Sequence, residues 1–114
     1  MKKNKLLFLM MGLLMTLSFP AHAYTTTDSG VPTGIAVGPG MVVEISFPTM
    51  INPDGCSFAG AYQINTGAVD TATRKAMLAV LVSAKATNTP VYVRLDGCSD
   101  RPLISYIFTD AYPK

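Results

Sequence analysis

Histidine and cysteine are scarce in this 114-residue chain, which contains one histidine and two cysteines. The histidine, His22, lies in an N-terminal segment that we expect to be removed, so no imidazole remains to activate a thiolate or complete a common zinc site. The seven acidic residues show no motif spacing, and a paired-carboxylate hydrolase is the weaker alternative. We therefore expect a protein that is not an enzyme, with no catalytic residue, no metal ligand and no cofactor.

Long apolar runs are also missing after the first 23 residues, and those residues have the pattern of a secretory signal peptide. Three lysines precede an apolar run from Leu6 to Leu17, and the motif Ala-His-Ala follows at residues 21–23. The run is shorter than the roughly 20 residues that span a bilayer, so a retained anchor is the less favoured alternative. We predict cleavage between Ala23 and Tyr24, a secreted or periplasmic protein, and no transmembrane segment in the mature chain.

Positive charge is sparse beyond the signal peptide. Three of the nine Lys and Arg residues lie within that segment, whereas all seven acidic residues follow it, so the rest of the chain carries a charge near −1. Nucleic-acid binding and polybasic membrane binding both need clustered basic residues. This composition therefore predicts no nucleic-acid partner.

The two cysteines, Cys56 and Cys98, both follow the predicted cleavage site and allow one intramolecular pairing. Small secreted domains bury limited apolar surface and often gain stability from disulfides. Closing a loop of this span stabilises a fold by about 4 kcal/mol in the chain-entropy model. We predict a structural disulfide between these residues.

Residue periodicity predicts three strands, one helix and two further strands. Alternating apolar residues indicate strands over 33–37, 41–47, 61–65, 91–96 and 103–109, and helical spacing indicates a helix over 71–86. We expect Met77, Val80 and Leu81 to lie on the buried face of the helix. Arg74 is expected on the opposite, polar side. Segment 24–32 is polar and aperiodic, which predicts a flexible leader before a single domain spanning 33–114.

The order β-β-β-α-β-β is that of the OB-fold, a five-stranded Greek-key barrel. The third and fifth strands of such a barrel run parallel, so they start at the same rim. Cys56 and Cys98 each lie five residues before one of these strands, which brings their thiols within disulfide reach. A small α+β sandwich with the same element order is the alternative fold.

Several segments resemble the OB-fold B subunits of bacterial toxins. They are the cysteine before the third strand, RKAMLAVLVSAK at 74–85, TPVYVRL at 89–95 and PLI at 102–104. The likeness is strongest to the subtilase-cytotoxin and pertussis-like group and to small secreted proteobacterial proteins of no assigned role. It covers residues 56–109 and consists of core patterns rather than a catalytic signature. It implies a pentameric ring that binds cell-surface glycans, and it transfers no sugar-binding residue to this chain.

Two non-enzymatic functions stay open. The first is a binding module for an oligosaccharide or other extracellular ligand, with Tyr62, Tyr92, Arg94 and Tyr106 as candidate contacts, because aromatic faces and guanidinium groups suit sugars. Tyrosine is also common in strands for ordinary packing reasons. The second is a structural or interaction protein of the periplasm or cell surface, acting through a partner protein and binding no sugar.

A homo-oligomer is the expected assembly, with a pentamer as the leading size. Leu78 and Val82 lie one turn apart on the side of the helix that carries its charged residues, and they need cover that a second copy would supply. The alternative is that the loop from Pro48 to Gly60, or the leader, folds over them, because two apolar residues form only a small patch.

Overall fold

The computed structural model describes residues 24–109, which form six strands and one helix. The predicted signal peptide, residues 1–23, lies outside the described residues, which begin immediately after the predicted cleavage site between Ala23 and Tyr24. The helix and five of the strands occur in the predicted order, with ends within two residues of the predicted ones. In chain order the elements are β1 (Thr25–Gly30), β2 (Gly34–Gly38), β3 (Val42–Ser46), β4 (Tyr62–Ile64), α1 (Thr71–Thr87), β5 (Val91–Cys98) and β6 (Pro102–Phe108).

The prediction of a flexible leader over 24–32 is wrong, because Thr25–Gly30 forms strand β1. This strand pairs antiparallel with β5, from Thr25 opposite Leu95 to Asp28 opposite Tyr92. Threonine is β-branched and favours strands. The strand has no apolar face, since the one side chain that it buries fully is Ser29. A search for alternating apolar residues therefore cannot detect it.

All six strands form one mixed sheet in the order β1-β5-β6-β4-β3-β2. Every neighbouring pair is antiparallel except β4 and β6, which run parallel. This pair comprises the predicted third and fifth strands, so their parallel orientation is confirmed. The edge strands β1 and β2 are not paired with each other, and the sheet is not a closed barrel. Only residues 31–33 connect them, so these two edges come within about 15 Å of each other.

The core lies between the curved sheet and one stripe of α1. The helix contributes Met77, Leu81 and Ala84, which repeat at helical spacing and are all buried. Val80 is adjacent to this stripe but 38% exposed, so the prediction that it is buried is wrong. The sheet contributes alternate residues of its strands, namely Val43, Ile45, Tyr62, Ile64, Val91, Val93, Leu95 and Ile104.

Side-chain and backbone caps define the two ends of α1. The Asp70 carboxylate accepts a hydrogen bond from the Thr73 backbone N–H at 2.7 Å, as an N-cap residue does. At the other end Asn88 adopts a left-handed backbone conformation, and its N–H donates to the carbonyl of Ala84. Lys85 in the last turn suits the helix dipole.

Arg74 is buried, with 6% of its surface exposed, so the prediction that it lies on the polar side of the helix is wrong. Residue 74 precedes Met77 and Leu81 by three and seven positions, which places it on the buried stripe. Its guanidinium donates to four backbone carbonyls and one hydroxyl, and thereby ties the β2–β3 turn to the start of α1. The acceptors belong to Gly40, Met41, Thr66, Val69 and Thr71.

The predicted disulfide between Cys56 and Cys98 is confirmed, with their Cα atoms 5.6 Å apart. It joins the loop before β4 to the end of β5. The Gly97 N–H donates to Asp54 Oδ2 at 2.9 Å and reinforces the same junction. This end of the sheet is therefore held by a covalent bond as well as by hydrogen bonds.

Candidate functional site

Aromatic rings surround Arg94 on the outer face of β1, β5 and β6. Arg94 lies opposite Tyr106 across the β5–β6 pair, and Tyr92 lies opposite Phe108, so alternation points these side chains to the same side of the sheet. The Arg94 Cζ lies 4.6 Å from the ring centroid of Tyr24, 4.5 Å from that of Tyr106 and 5.8 Å from that of Phe108. These distances are within the range of cation–π interactions. We name Tyr24, Arg94, Tyr106 and Phe108 the Arg94 cluster.

Two rings of the Arg94 cluster are exposed, and the third, that of Phe108, is half-buried. Tyr24 is 58% exposed and Tyr106 is 55% exposed. The rings of Tyr106 and Phe108 are stacked, with centroids 6.0 Å apart and planes inclined by 7°. Large exposed aromatic surfaces are unusual on a small domain and often mark binding sites. The cluster therefore offers flat apolar faces beside polar hydroxyl groups.

The structure unites two of the four predicted ligand contacts, Arg94 and Tyr106. Tyr92 is half-buried on the same face, opposite Phe108. Tyr62 is fully buried, so the prediction that it lies on an exposed strand face is wrong. Its hydroxyl accepts the backbone N–H of Ile51 at 2.8 Å, and burial raises the pKa of this phenol.

Two members of the cluster, Tyr24 and Phe108, are missing from the predicted contacts. Phe108 follows Tyr106 by two positions in the same strand, so alternation alone places both on one face. That signal was present in the sequence. Tyr24 carries no such signal, because it precedes a strand that apolar alternation does not reveal.

A second cluster surrounds Arg101, close to the disulfide. Its guanidinium lies 3.1 Å from a Glu44 oxygen and 2.8 Å from an Asp100 oxygen. The Phe58 ring centroid lies 4.7 Å from Arg101 Cζ. The hydrogen bond from Arg101 holds the pKa of Asp100 well below its ordinary range. Because two carboxylates neutralise Arg101, this cluster is a structural tie and a poorer candidate for ligand binding.

An apolar groove of about 540 Å³ lies between α1 and β2. Leu78 is half-buried and packs against the core, whereas Val82 and Val37 are each 52% exposed. We name this surface the α1–β2 groove. Its lining comes from β2 and α1 and includes neither the loop at 48–60 nor β1, so the structure does not support the alternative that one of these segments covers Leu78 and Val82.

Within residues 24–109, no three His, Cys, Asp or Glu side chains are grouped so that they could hold a metal ion. No helix in this described part of the chain combines the length and apolarity that a membrane span requires. Comparisons with protein-family models, curated proteins and solved structures found no match to the chain.

Proposed function

We propose that this protein is a non-enzymatic binding module that acts outside the cytoplasm and binds a sugar on the Arg94 cluster. The observation that carries the proposal is the pair of exposed tyrosine rings on either side of one guanidinium. The Cys56–Cys98 disulfide supports the compartment, because such bonds persist in oxidising environments.

Stacking is the expected mode of binding. A pyranose ring has an apolar face of C–H groups that packs against the exposed face of Tyr106, while its hydroxyls reach the surrounding polar groups. Tyrosine supplies a large, rigid contact area at a low cost in conformational entropy. Arg94 acts as a positioning residue, since its cation–π contacts hold the rings of Tyr24 and Tyr106.

The test is a glycan array on the exported protein with matched aromatic variants. Tyr106→Ala removes a ring of the cluster, whereas Phe58→Ala removes an exposed ring beside Arg101 and serves as the control. We expect specific glycan binding that weakens at least tenfold in Tyr106→Ala, or about 1.4 kcal/mol, and is unchanged in Phe58→Ala. An array on which the unaltered protein binds no glycan contradicts the proposal.

The OB-fold and the relation to toxin B subunits are part of the same proposal. The element order and the parallel pairing of β4 with β6 support an OB-like arrangement. The proximity of the two sheet edges also supports an OB-like arrangement. In such an arrangement β1 and β2 would together correspond to one strand with an interruption between them. A B-subunit relation implies a homo-oligomer, for which a pentamer is the leading size.

We propose that a second copy covers the α1–β2 groove. Val82→Glu places a charge in this groove and should shift the protein to monomers in light scattering, while its circular dichroism stays unchanged. Ala76→Glu, at an exposed position of the same helix outside the groove, is the control. An unaltered protein that is monomeric at all concentrations contradicts the assembly, and an oligomer that ignores Val82→Glu uses another surface.

The alternative function is a structural or interaction protein that binds no sugar. The observation that favours it is the apolar α1–β2 groove beside β2, whose outer edge pairs with no strand of the sheet. A blank glycan array together with an oligomer that Val82→Glu dissociates would support this alternative.

A further inference from the structure

A groove of about 440 Å³ with both polar and apolar walls lies between the start of α1 and β6, and Tyr106 forms part of its wall. Asp70, Thr73 and Met77 line it on the helix side, and Ser105 lines it on the sheet side. We name it the α1–β6 groove. Tyr106 also belongs to the Arg94 cluster, so this residue contributes to both the groove and the aromatic surface. Its volume is within the usual range of small-molecule sites.

The groove presents hydrogen-bonding groups that match hydroxyls. Asp70 Oδ1 accepts the Thr73 N–H, and a carboxylate has about four lone-pair positions, so it has capacity for further donors. The Thr73 hydroxyl donates to Asp70 and the Ser105 hydroxyl donates to the Arg94 carbonyl at 3.5 Å, so both hydroxyl oxygens keep lone pairs that can accept from a ligand. Met77 adds an apolar wall against which C–H groups can pack.

The charged side chain that lines the groove is the carboxylate of Asp70. Hydrogen bonds from the Thr73 side chain and backbone hold the pKa of Asp70 below its ordinary value, so this carboxyl is ionised at neutral pH. The guanidinium of Arg94 lies against the rings of Tyr24 and Tyr106 instead of lining the groove. An anionic sugar placed beside Asp70 would meet a like charge, because Arg74, whose charge acts on Asp70, is buried and does not line the groove.

We infer that the α1–β6 groove is a subsite for an uncharged, hydroxyl-rich sugar unit, adjoining the unit that stacks on Tyr106. Hydroxyls of this second unit donate to the Asp70 carboxylate and exchange hydrogen bonds with Thr73 and Ser105. The inference rests on the proposed function, since it extends the same ligand by one unit. It makes Asp70 a specificity-determining residue as well as a helix cap.

The experiment is an NMR titration of the ¹⁵N-labelled exported protein. The probes are the neutral disaccharides lactose, maltose and cellobiose, with N-acetylneuraminic acid as the anionic comparison. We expect at least one neutral disaccharide to shift the amide signals of Thr73 and Ser105 together with that of Tyr106. Tighter binding of N-acetylneuraminic acid in the groove would overturn the inference.

Three variants separate the groove from the aromatic surface. Asp70→Ser keeps a good N-cap residue but removes the carboxylate, and should weaken binding of the neutral disaccharide at least tenfold. Ser105→Ala leaves the helix cap untouched and should weaken binding severalfold. Asp28→Ser is the matched control, because it removes an exposed carboxylate of β1 that does not line the groove.

The outcomes distinguish the two proposals. Shifts confined to Tyr24, Tyr106 and Phe108, with normal binding by Asp70→Ser and Ser105→Ala, overturn the groove subsite and leave sugar binding on the Arg94 cluster standing. If no saccharide in the titration or on the array binds, both proposals fail. Circular dichroism of each variant verifies that α1 is intact.

Discussion

Arg94 and Arg101 both lie against aromatic rings, yet their surroundings differ in charge. Arg101 contacts the carboxylates of Glu44 and Asp100, and its side chain is 18% exposed. Arg94 lies between two exposed tyrosine rings. The comparison shows that residue type does not identify a binding surface. A guanidinium paired with carboxylates joins protein segments, whereas one stacked between rings supports a flat surface for a ligand.

Arg74 provides a third environment, in which backbone carbonyls surround a buried guanidinium. It joins elements as Arg101 does, but away from solvent. Hydrogen bonds from a charged group to buried acceptors contribute more than exposed ion pairs. Substitution of Arg74 should therefore lower stability more than substitution of either of the two arginines nearer the surface.

The largest expected effect follows from removing the disulfide that holds the Arg101 side of the molecule. Replacing both Cys56 and Cys98 by Ser should lower the free energy of unfolding by about 2 to 5 kcal/mol, because the unfolded chain regains loop entropy. Urea unfolding measures the loss, and the unaltered protein under reducing conditions is the control. Free thiols on the native exported protein would contradict the disulfide.

The core beneath both arginine clusters provides the next test. Leu81→Ala should cost about 2 to 5 kcal/mol of stability, because Leu81 is fully buried on the sheet side of α1. Val80→Ala, one position along and 38% exposed, should cost less than about 1 kcal/mol. Equal losses of stability in the two variants, measured by thermal unfolding, would mean that the helix is rotated about its axis and does not bury Leu81 in preference to Val80.

Matched substitutions of the three arginines should have different effects on stability. Arg74→Met should lower stability by about 1 to 3 kcal/mol, because carbonyls buried around it lose their donor. Arg101→Met should cost less than about 1 kcal/mol, as expected for an ion pair near solvent. Arg94→Met should change stability little but weaken sugar binding. A loss in Arg101→Met as large as that in Arg74→Met contradicts this ranking.

The smallest expected effect is the acid dependence of stability. Arg101 and Thr73 lower the folded-state pKa values of Asp100 and Asp70 from their ordinary value of 3.8. Their contribution is therefore fully present above pH 3.8 and declines as the pH falls toward the folded pKa. Unfolding curves between pH 5 and pH 2 measure it. Arg101→Met should flatten this dependence, and an unchanged slope would contradict the role of the Asp100 pair.

Much of the fold was predictable because its signals are local. Alternation in Val43, Ile45 and Phe47 identifies a half-buried strand, and Asp70 identifies the start of the helix. Two cysteines allow one intramolecular pairing. Strand β1 escaped prediction because it is held through backbone hydrogen bonds to β5, which leave no trace in its side chains.

The candidate site was less predictable than the fold. Tyr62, Tyr92 and Tyr106 all occur in strands and are equivalent in composition. Which of them is exposed depends on the face that each strand turns to the core. Tyr62 faces inward with Ile64, whereas Tyr106 lies on the outer face near a bulge in the β5–β6 pairing. Local sequence does not specify the position of that bulge.

The order of α1 and five of the strands, the helix ends and the disulfide partners followed from the sequence, because these depend on neighbouring residues or on counting. The burial of Arg74, the place of Tyr24 in the Arg94 cluster and the pairing of β1 with β5 emerged with the tertiary fold. These outcomes depend on contacts between residues distant in the chain, such as Arg74 with Met41 and Tyr24 with Arg94. Such contacts form when separate elements pack together, and no local pattern encodes them.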